Sequence, residues 1–339
     1  MAGWKVRAAL AGVGLLAGGC WAQKPVVTVS AVSGAGMFTT VQAAVDSATD
    51  KGLVVKISPG TYREKLHVAA NGIELRGMGT GPEQVVLSWD DSAGTAGGTG
   101  KSGSVTVTGD DFVAANLTME NAWERTHAST HEGAQAVALV INGDREVLRR
   151  VRLLGFQDTL YAGSMTCHGK DDATAGPCQA SRMLFEDCYI EGHVDFIFGD
   201  AKAVFDHCEL HAMAHQTDML TAQSRLFPGE DSGYLFLDCK LTAAKGAENI
   251  VMGRPWRAYS TVVFVNLKLE GGAKIAAAGW SDWDGKLATS TYAEYNTGPG
   301  DDVSKRIAGT RVLTKAEAEK MRASSWLKGK DGWSPKDSD

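Results

Sequence analysis

One strand-sized word recurs along the middle of the chain. It narrows the fold more than any other feature. Phe112–Thr118, Val147–Leu153, Leu184–Ile190, Val204–Leu210, Leu235–Leu241 and Val263–Leu269 share an apolar–polar–x–apolar pattern. Their central positions are 116, 151, 188, 208, 239 and 267, so the word is kept while the excursion between copies varies. A solenoid of stacked β coils behaves this way when its loops grow on one side. A β-sandwich also has many short strands, but it gives no reason for each to repeat the same word. The pattern predicts an all-β, right-handed parallel β-helix. A strand over Val26–Val32, a helix over Thr39–Ala48 and a strand over Leu53–Ser58 come first. The helix, with Val41, Ala44, Val45 and Ala48 on one face, caps one end. Lys315–Met321 reads as a C-terminal helical segment.

Composition agrees and excludes little. The chain has 339 residues, 40 of them glycine and only 8 proline, which suits many tight turns. A formal net charge of −6 argues against a nucleic-acid partner. Residues 1–22 read as a signal peptide, with Lys5 and Arg7 before a short apolar run that ends at Cys20-Trp21-Ala22. The run is too short to span a membrane. The reading is therefore a secreted or periplasmic protein, with residues 23–339 as one domain. The alternative is an outer-membrane lipoprotein anchored at Cys20, although Ala17 stands where a lipobox has leucine.

Stacking also makes a statement about cysteines. Cys188, Cys208 and Cys239 share one position in successive coils, about 4.8 Å apart on the interstrand spacing. That separation favours a Cys188–Cys208 disulfide and leaves Cys239 as a buried free thiol. Cys167 and Cys178 bracket a polar loop and could form a second bridge. The competing reading is that all are reduced and packed as small apolar residues. With no CxxC pair, a structural zinc site is not expected. His207, His211 and His215 fall on strand and turn, where their spacing makes no metal face.

Two further words read alike. Gly155-Phe156-Gln157-Asp158-Thr159-Leu160-Tyr161 lies over Gly192-His193-Val194-Asp195-Phe196-Ile197-Phe198. Asp158 follows position 151 by the same interval as Asp195 follows position 188. Stacked coils therefore place the two carboxyls in neighbouring rungs, roughly 5 Å apart. Two carboxylates that close do not both ionise freely, so one can act as nucleophile or base and the other as proton donor. Loop aspartates more often bind their own backbone. Against that, Phe196-Ile197-Phe198 is too apolar for a solvated turn, and a buried acid needs a partner. Arg254, in Gly253-Arg254-Pro255-Trp256, is a candidate partner. Gln135 and Gln157 supply amide donors of the kind an oxyanion needs. Tyr161, Phe198 and Trp256 offer an aromatic floor for a sugar. Amide ladders and core packing are the plainer roles for these two groups.

These words, with Gly60-Thr61-Tyr62-Arg63-Glu64, Gln135-Ala136-Val137-Ala138-Leu139, Thr221-Ala222-Gln223 and Tyr295-Asn296-Thr297-Gly298-Pro299-Gly300, resemble the pectin methylesterase (pectinesterase) family, in its order, over about residues 26–330. The resemblance implies a bacterial secreted member that removes methyl groups from the C6 esters of polygalacturonate without metal or cofactor. It implies Asp195 as nucleophile, Asp158 as acid and then base, Gln135 and Gln157 around the oxyanion, and Arg254 holding the nucleophile. Tyr161, Phe198 and Trp256 would contact methylated pectin, and Cys188 and Cys208 match a bridge of bacterial members. Ser224 and Met252 depart from residues common in the family. A monomer is expected. The rival readings are a glycoside hydrolase on the same fold, a non-catalytic carbohydrate-binding lipoprotein at the cell surface, and an esterase that has drifted to another ester.

Overall fold

A computed structural model describes residues 24–335, apart from 33, 35, 128–132, 168–176 and 299–301. The stretch read as a signal peptide and Cys20 therefore lie outside the described residues, as do Pro299 and Gly300 and much of the loop between Cys167 and Cys178. Within them the chain winds as a parallel β-helix. Every strand pairing is parallel, and each coil lies on the one before it. Leu184 pairs with Val147, Val204 with Leu184, Leu235 with Val204 and Val263 with Leu235. The recurring word is thus one position on successive coils. The first copy is the exception. Leu117, not Asn116, lies against Val151, so the word beginning at Phe112 runs one residue out of step with the expected alignment.

The misalignment exposes what the word encodes. Asn116, Arg150, Asp187, His207, Asp238, Asn266 and Asn296 all have left-handed backbone, with φ between 49° and 58°. Asp187, His207, Asp238 and Asn266 each make the sharp bend between two strands of a coil, and Asn116 and Arg150 bend a single long strand at the same place. Asparagine and aspartate tolerate this conformation best because their side chains bond locally. Asn266 Nδ2 donates to Asp238 Oδ1 at 2.8 Å, and Asn296 Nδ2 donates to Asn266 Oδ1 at 2.9 Å, so the bends form a polar ladder. The Asn116 amide donates to the Gly77 and Gly79 carbonyls.

Just before each bend, an inward position builds the core. Phe185, Phe205, Phe236 and Phe264 stack face to face with ring centroids 4.7, 4.4 and 4.2 Å apart. Trp280 and Tyr292 extend the column. All six rings are fully buried. Just after the bend, Cys188, Cys208 and Cys239 form a second inward column. All three are free thiols, which corrects the expected Cys188–Cys208 bridge. In-register stacking points their Cβ bonds the same way, whereas a disulfide needs the Cβ atoms to converge to about 3.8 Å. Each thiol instead donates to a carbonyl of the neighbouring coil: Leu148 at 3.5 Å, Phe185 at 3.4 Å and Phe205 at 3.3 Å. Burial pushes the Cys188 and Cys208 thiols well above their ordinary range, which makes them poor nucleophiles. The disulfide present joins Cys167 to Cys178.

The capping helix is shorter than expected, Val41–Val45. Its free N–H groups at Val41 and Gln42 each donate to the Glu64 carboxylate at 2.8 Å. That ties the cap to the first coil and accounts for the acid in Gly60–Glu64. The C-terminal segment is two single turns, Lys315–Ala318 and Ala323–Trp326. The first opens with a capping box between Thr314 and Glu317. No helix among the described residues is long and apolar enough to cross a membrane.

The thiol assignment predicts a labelling pattern. Unfolded without reductant, the protein takes alkylating reagent at Cys188, Cys208 and Cys239, and at Cys167 and Cys178 only after reduction. Peptide mapping checks this, and a Cys188–Cys208 disulfide peptide would contradict it.

Candidate active site

The site grows from the six-stranded sheet formed by Leu66–Val68, Val105–Val107, Leu139–Ile141, Leu160–Ala162, Ile197–Gly199 and Thr221–Gln223. Leu160 pairs with Ile197 and Tyr161 with Phe198. The register continues back through the turns. Asp158 N–H donates to the Val194 carbonyl at 3.1 Å, and Leu160 N–H to Phe196 at 2.8 Å. Asp158 therefore stacks on Asp195, as the two similar words require. The glycine of each word is needed for close approach. A Cβ on Gly192 would collide with Phe196 and the Phe156 carbonyl, and one on Gly155 would collide with Thr159.

Both aspartates sit in left-handed backbone, at φ 64° and 51°. Both are buried, with exposures of 9% and 8%. Their partners differ. Arg254 forks onto Asp195, with Nε to Oδ1 at 2.9 Å and Nη2 to Oδ2 at 2.6 Å. No protein group among the described residues makes a hydrogen bond to the Asp158 carboxyl. Burial raises the Asp195 carboxyl, and the Arg254 fork and charge pull against that rise. Burial and then the negative charge of Asp195 raise Asp158 well above the usual carboxylate range, with only the more distant pull of Arg254 opposing. One acid is thus held toward ionisation and the other toward protonation. Arg254 is itself held by Trp283, whose ring centroid lies 4.1 Å from the guanidinium carbon.

These groups open on a cleft of about 260 Å³ lined by Gln135, Gln157, Asp158, Asp195, Phe198, Arg254 and Trp256, together with Thr99, Ala222 and Trp283. Gln135 arrives on the coil before Asp158, where Ala136 N–H donates to the Gln157 carbonyl at 3.2 Å. Among the described residues no hydrogen bond occupies either glutamine side chain, which leaves both amides available to a ligand. Tyr161 is not on the cavity wall. It stacks on Phe198 at 4.6 Å, and Phe198 meets Trp256 edge-on at 6.0 Å. The sequence reading missed Thr99, Ala222 and Trp283. Ala222 lay in the word Thr221-Ala222-Gln223 without being read as a cleft residue, and Trp283 left a signal as a second tryptophan in the polar stretch Trp280-Ser281-Asp282-Trp283.

Among the described residues one group has metal-ligand proximity, Asp206, His207 and Asp238, whose ligand atoms all lie within 4.8 Å of one another. It belongs to the ladder of bends. His207 pairs with Asp206 at 2.7 Å, and Asp238 accepts from Asn266. None of the three lines the cleft.

Comparison with known proteins agrees with the fold. A family model described as Pectinesterase matches residues 27–330. Probable pectinesterase/pectinesterase inhibitor 17 of Arabidopsis thaliana is 35% identical over 322 residues, which cover 91% of this chain and 58% of that protein. Pectinesterase 2 of Citrus sinensis is also covered over 58% of its length, so the chain spans little more than half of these two relatives. Pectinesterase 31 of Arabidopsis thaliana is 35% identical, with 84% of this chain and 87% of that protein covered. Among solved structures, the carrot pectin methylesterase matches with a TM-score of 0.73 at 30% identity, covering 87% of this chain and 90% of its own. PemA from Erwinia chrysanthemi matches at 0.72 and 26% identity, covering 93% and 99%. With plant relatives beside a bacterial structure, the match gives no support to the expected bacterial origin. On the family match and on relatives more than 30% identical over most of its length, the chain belongs to the pectinesterase family.

Proposed function

We propose that the protein is a carbohydrate esterase that hydrolyses C6 methyl esters of polygalacturonate to pectate and methanol. The observation that carries this reading is the unequal treatment of two stacked acids: Arg254 forks onto Asp195, and Asp158 is buried beside it with no hydrogen-bond partner for its carboxyl among the described residues. The resemblance implied which acid attacks, and the electrostatics support the same assignment independently. The Asp195 carboxylate attacks the ester carbonyl carbon. The carbonyl oxygen becomes an oxyanion that the Gln135 and Gln157 amides can reach as donors. The C–OCH₃ bond breaks, and the departing oxygen takes the Asp158 proton to leave as methanol. Water then attacks the acyl–Asp195 anhydride and gives its proton to the Asp158 carboxylate. Galacturonate is released with both acids restored. Phe198 and Trp256 supply apolar surface for sugar rings, with Tyr161 backing Phe198.

Solved relatives named pectin methylesterases, one in complex with a hexasaccharide, support a polymeric sugar as substrate. We read the protein as a monomer. We read it as secreted or periplasmic on its N-terminal segment, with lipid anchoring at Cys20 as the alternative.

Methylated pectin given to the purified protein should yield methanol without new reducing ends. New reducing ends would favour the glycoside hydrolase. Asp195→Ala should abolish release in a folded protein, and retained activity would remove Asp195 from the nucleophile role. Asp158→Asn should lower kcat by about 10²- to 10⁴-fold. The same change should raise Tm near neutral pH. A carboxyl whose folded pKa is raised favours folding below its unfolded pKa, and that contribution is lost as pH rises through the folded pKa. A neutral asparagine, which also tolerates left-handed backbone, escapes that loss. An unchanged or lowered Tm would contradict the burial argument.

The pH profile follows with signs. Asp195 must be ionised, so the rate falls as pH drops through its raised pKa. Asp158 must be protonated, so the rate falls as pH rises through its still higher pKa. Arg254 lowers both, so Arg254→Leu should move both limbs of kcat/KM to higher pH. Limbs that stay in place would contradict the role given to Arg254.

A further inference from the structure

Val194 is in backbone contact with both aspartates. It precedes Asp195 in the chain, and its carbonyl accepts the Asp158 N–H at 3.1 Å. Its own N–H donates to Nδ1 of His193 at 2.8 Å. Assigned from that partner, Nδ1 carries no proton and Nε2 does. Nε2–H points to the Glu124 carboxylate, 3.1 and 3.2 Å from its two oxygens. The imidazole is buried and lies against His215, 4.7 Å between centroids, and Phe156, at 5.9 Å.

The support behind the ring is hydrogen-bonded to neighbouring coils. Glu124 belongs to the single helical turn Trp123–Thr126. Asn121 Oδ1 accepts the Trp123 N–H at 3.1 Å, and Asn121 Nδ2 donates to the carbonyls of Asp91, Ser102 and Val137. Arg125 of the same turn binds Glu191 at 2.9 Å. Beyond His193, the Met219 N–H donates to the His193 carbonyl at 2.7 Å, next to the buried Asp218. In the paired word, Phe156 occupies the place of His193 and offers no acceptor. Only the word that carries Asp195 has this bond.

We propose that His193 is a positioning residue: its neutral Nδ1 holds the Val194 peptide and thereby the left-handed turn that aims Asp195 at the ester. The proposal rests on the esterase reading above. Left-handed backbone at a non-glycine residue is unfavourable and persists where its surroundings over-determine it. Arg254 fixes the Asp195 carboxylate from the front. The chain Asn121, Trp123–Thr126 turn, Glu124, His193, Val194 fixes its backbone.

Asparagine and glutamine separate the two ring nitrogens. His193→Asn can place an acceptor near Nδ1, whereas His193→Gln can place its amide near Nε2 and cannot serve the Val194 N–H at the same time. The experiment measures kcat and KM for methanol release from methylated pectin by wild type and both variants, with folding checked by near-UV circular dichroism. The expected result is kcat within about threefold of wild type for His193→Asn and about 10- to 100-fold lower for His193→Gln, with KM unchanged in both. Equal losses in the two variants, a rise in KM with kcat retained, or full activity in His193→Gln overturns the proposal. Failure of both variants to fold also overturns it, because the ring is then a packing element. A wild-type protein that releases no methanol overturns the esterase reading instead.

Discussion

Parallel, in-register hydrogen bonding between successive coils is the constraint on which the rest depends. It repeats each position of the chain along one axis at about the interstrand spacing. What happens at a position then depends on what is repeated there and which way it faces. Phenylalanines facing inward become a stacked column. Cysteines facing inward become a column of thiols held apart by the backbone. Asparagines and aspartates at the bends become a polar ladder. In the rung beside the six-stranded sheet, the repeated residue is an aspartate, and repetition there brings two acids together.

Stacking alone would make the acids equivalent. The surroundings make them differ. Arg254 comes from a distant loop and satisfies both oxygens of Asp195, with Trp283 against its guanidinium. Asp158 has burial and a negative neighbour but no hydrogen-bond donor among the described residues. The scaffold therefore supplies proximity, while the loops supply polarity. A carboxyl held toward protonation and one held toward ionisation can then coexist in one cleft at one pH.

The sequence made the axial repeat legible because apolar side chains must recur wherever coils stack. Four of the five steps between copies of the word were readable, and so was the Asp158–Asp195 pair. The Asn116 copy slipped by one residue. Its small Ala114 and Ala115 gave the apolar pattern little contrast, and the left-handed bend, which defines the register, leaves no hydrophobic signal. Cysteine pairing failed for a related reason: spacing along the axis is readable, but the direction of Cβ bonds is not. The placement of Trp283 in the cleft and the single helical turn carrying Glu124 were not readable. One lies far along the chain from the cleft words, and the other is too short to show a helical period. The reading of Arg254 succeeded because a rigid Gly-Arg-Pro-Trp word marks a side chain whose direction matters.

The central claim is that Asp158 holds a proton at neutral pH while Asp195 beside it is ionised. Infrared difference spectra of the protonated-carboxyl stretch, comparing wild type with Asp158→Asn and Asp195→Asn near pH 7, test it most directly. The account predicts that Asp158→Asn removes a protonated-carboxyl band and that Asp195→Asn does not. A band that survives Asp158→Asn and disappears in Asp195→Asn would contradict it.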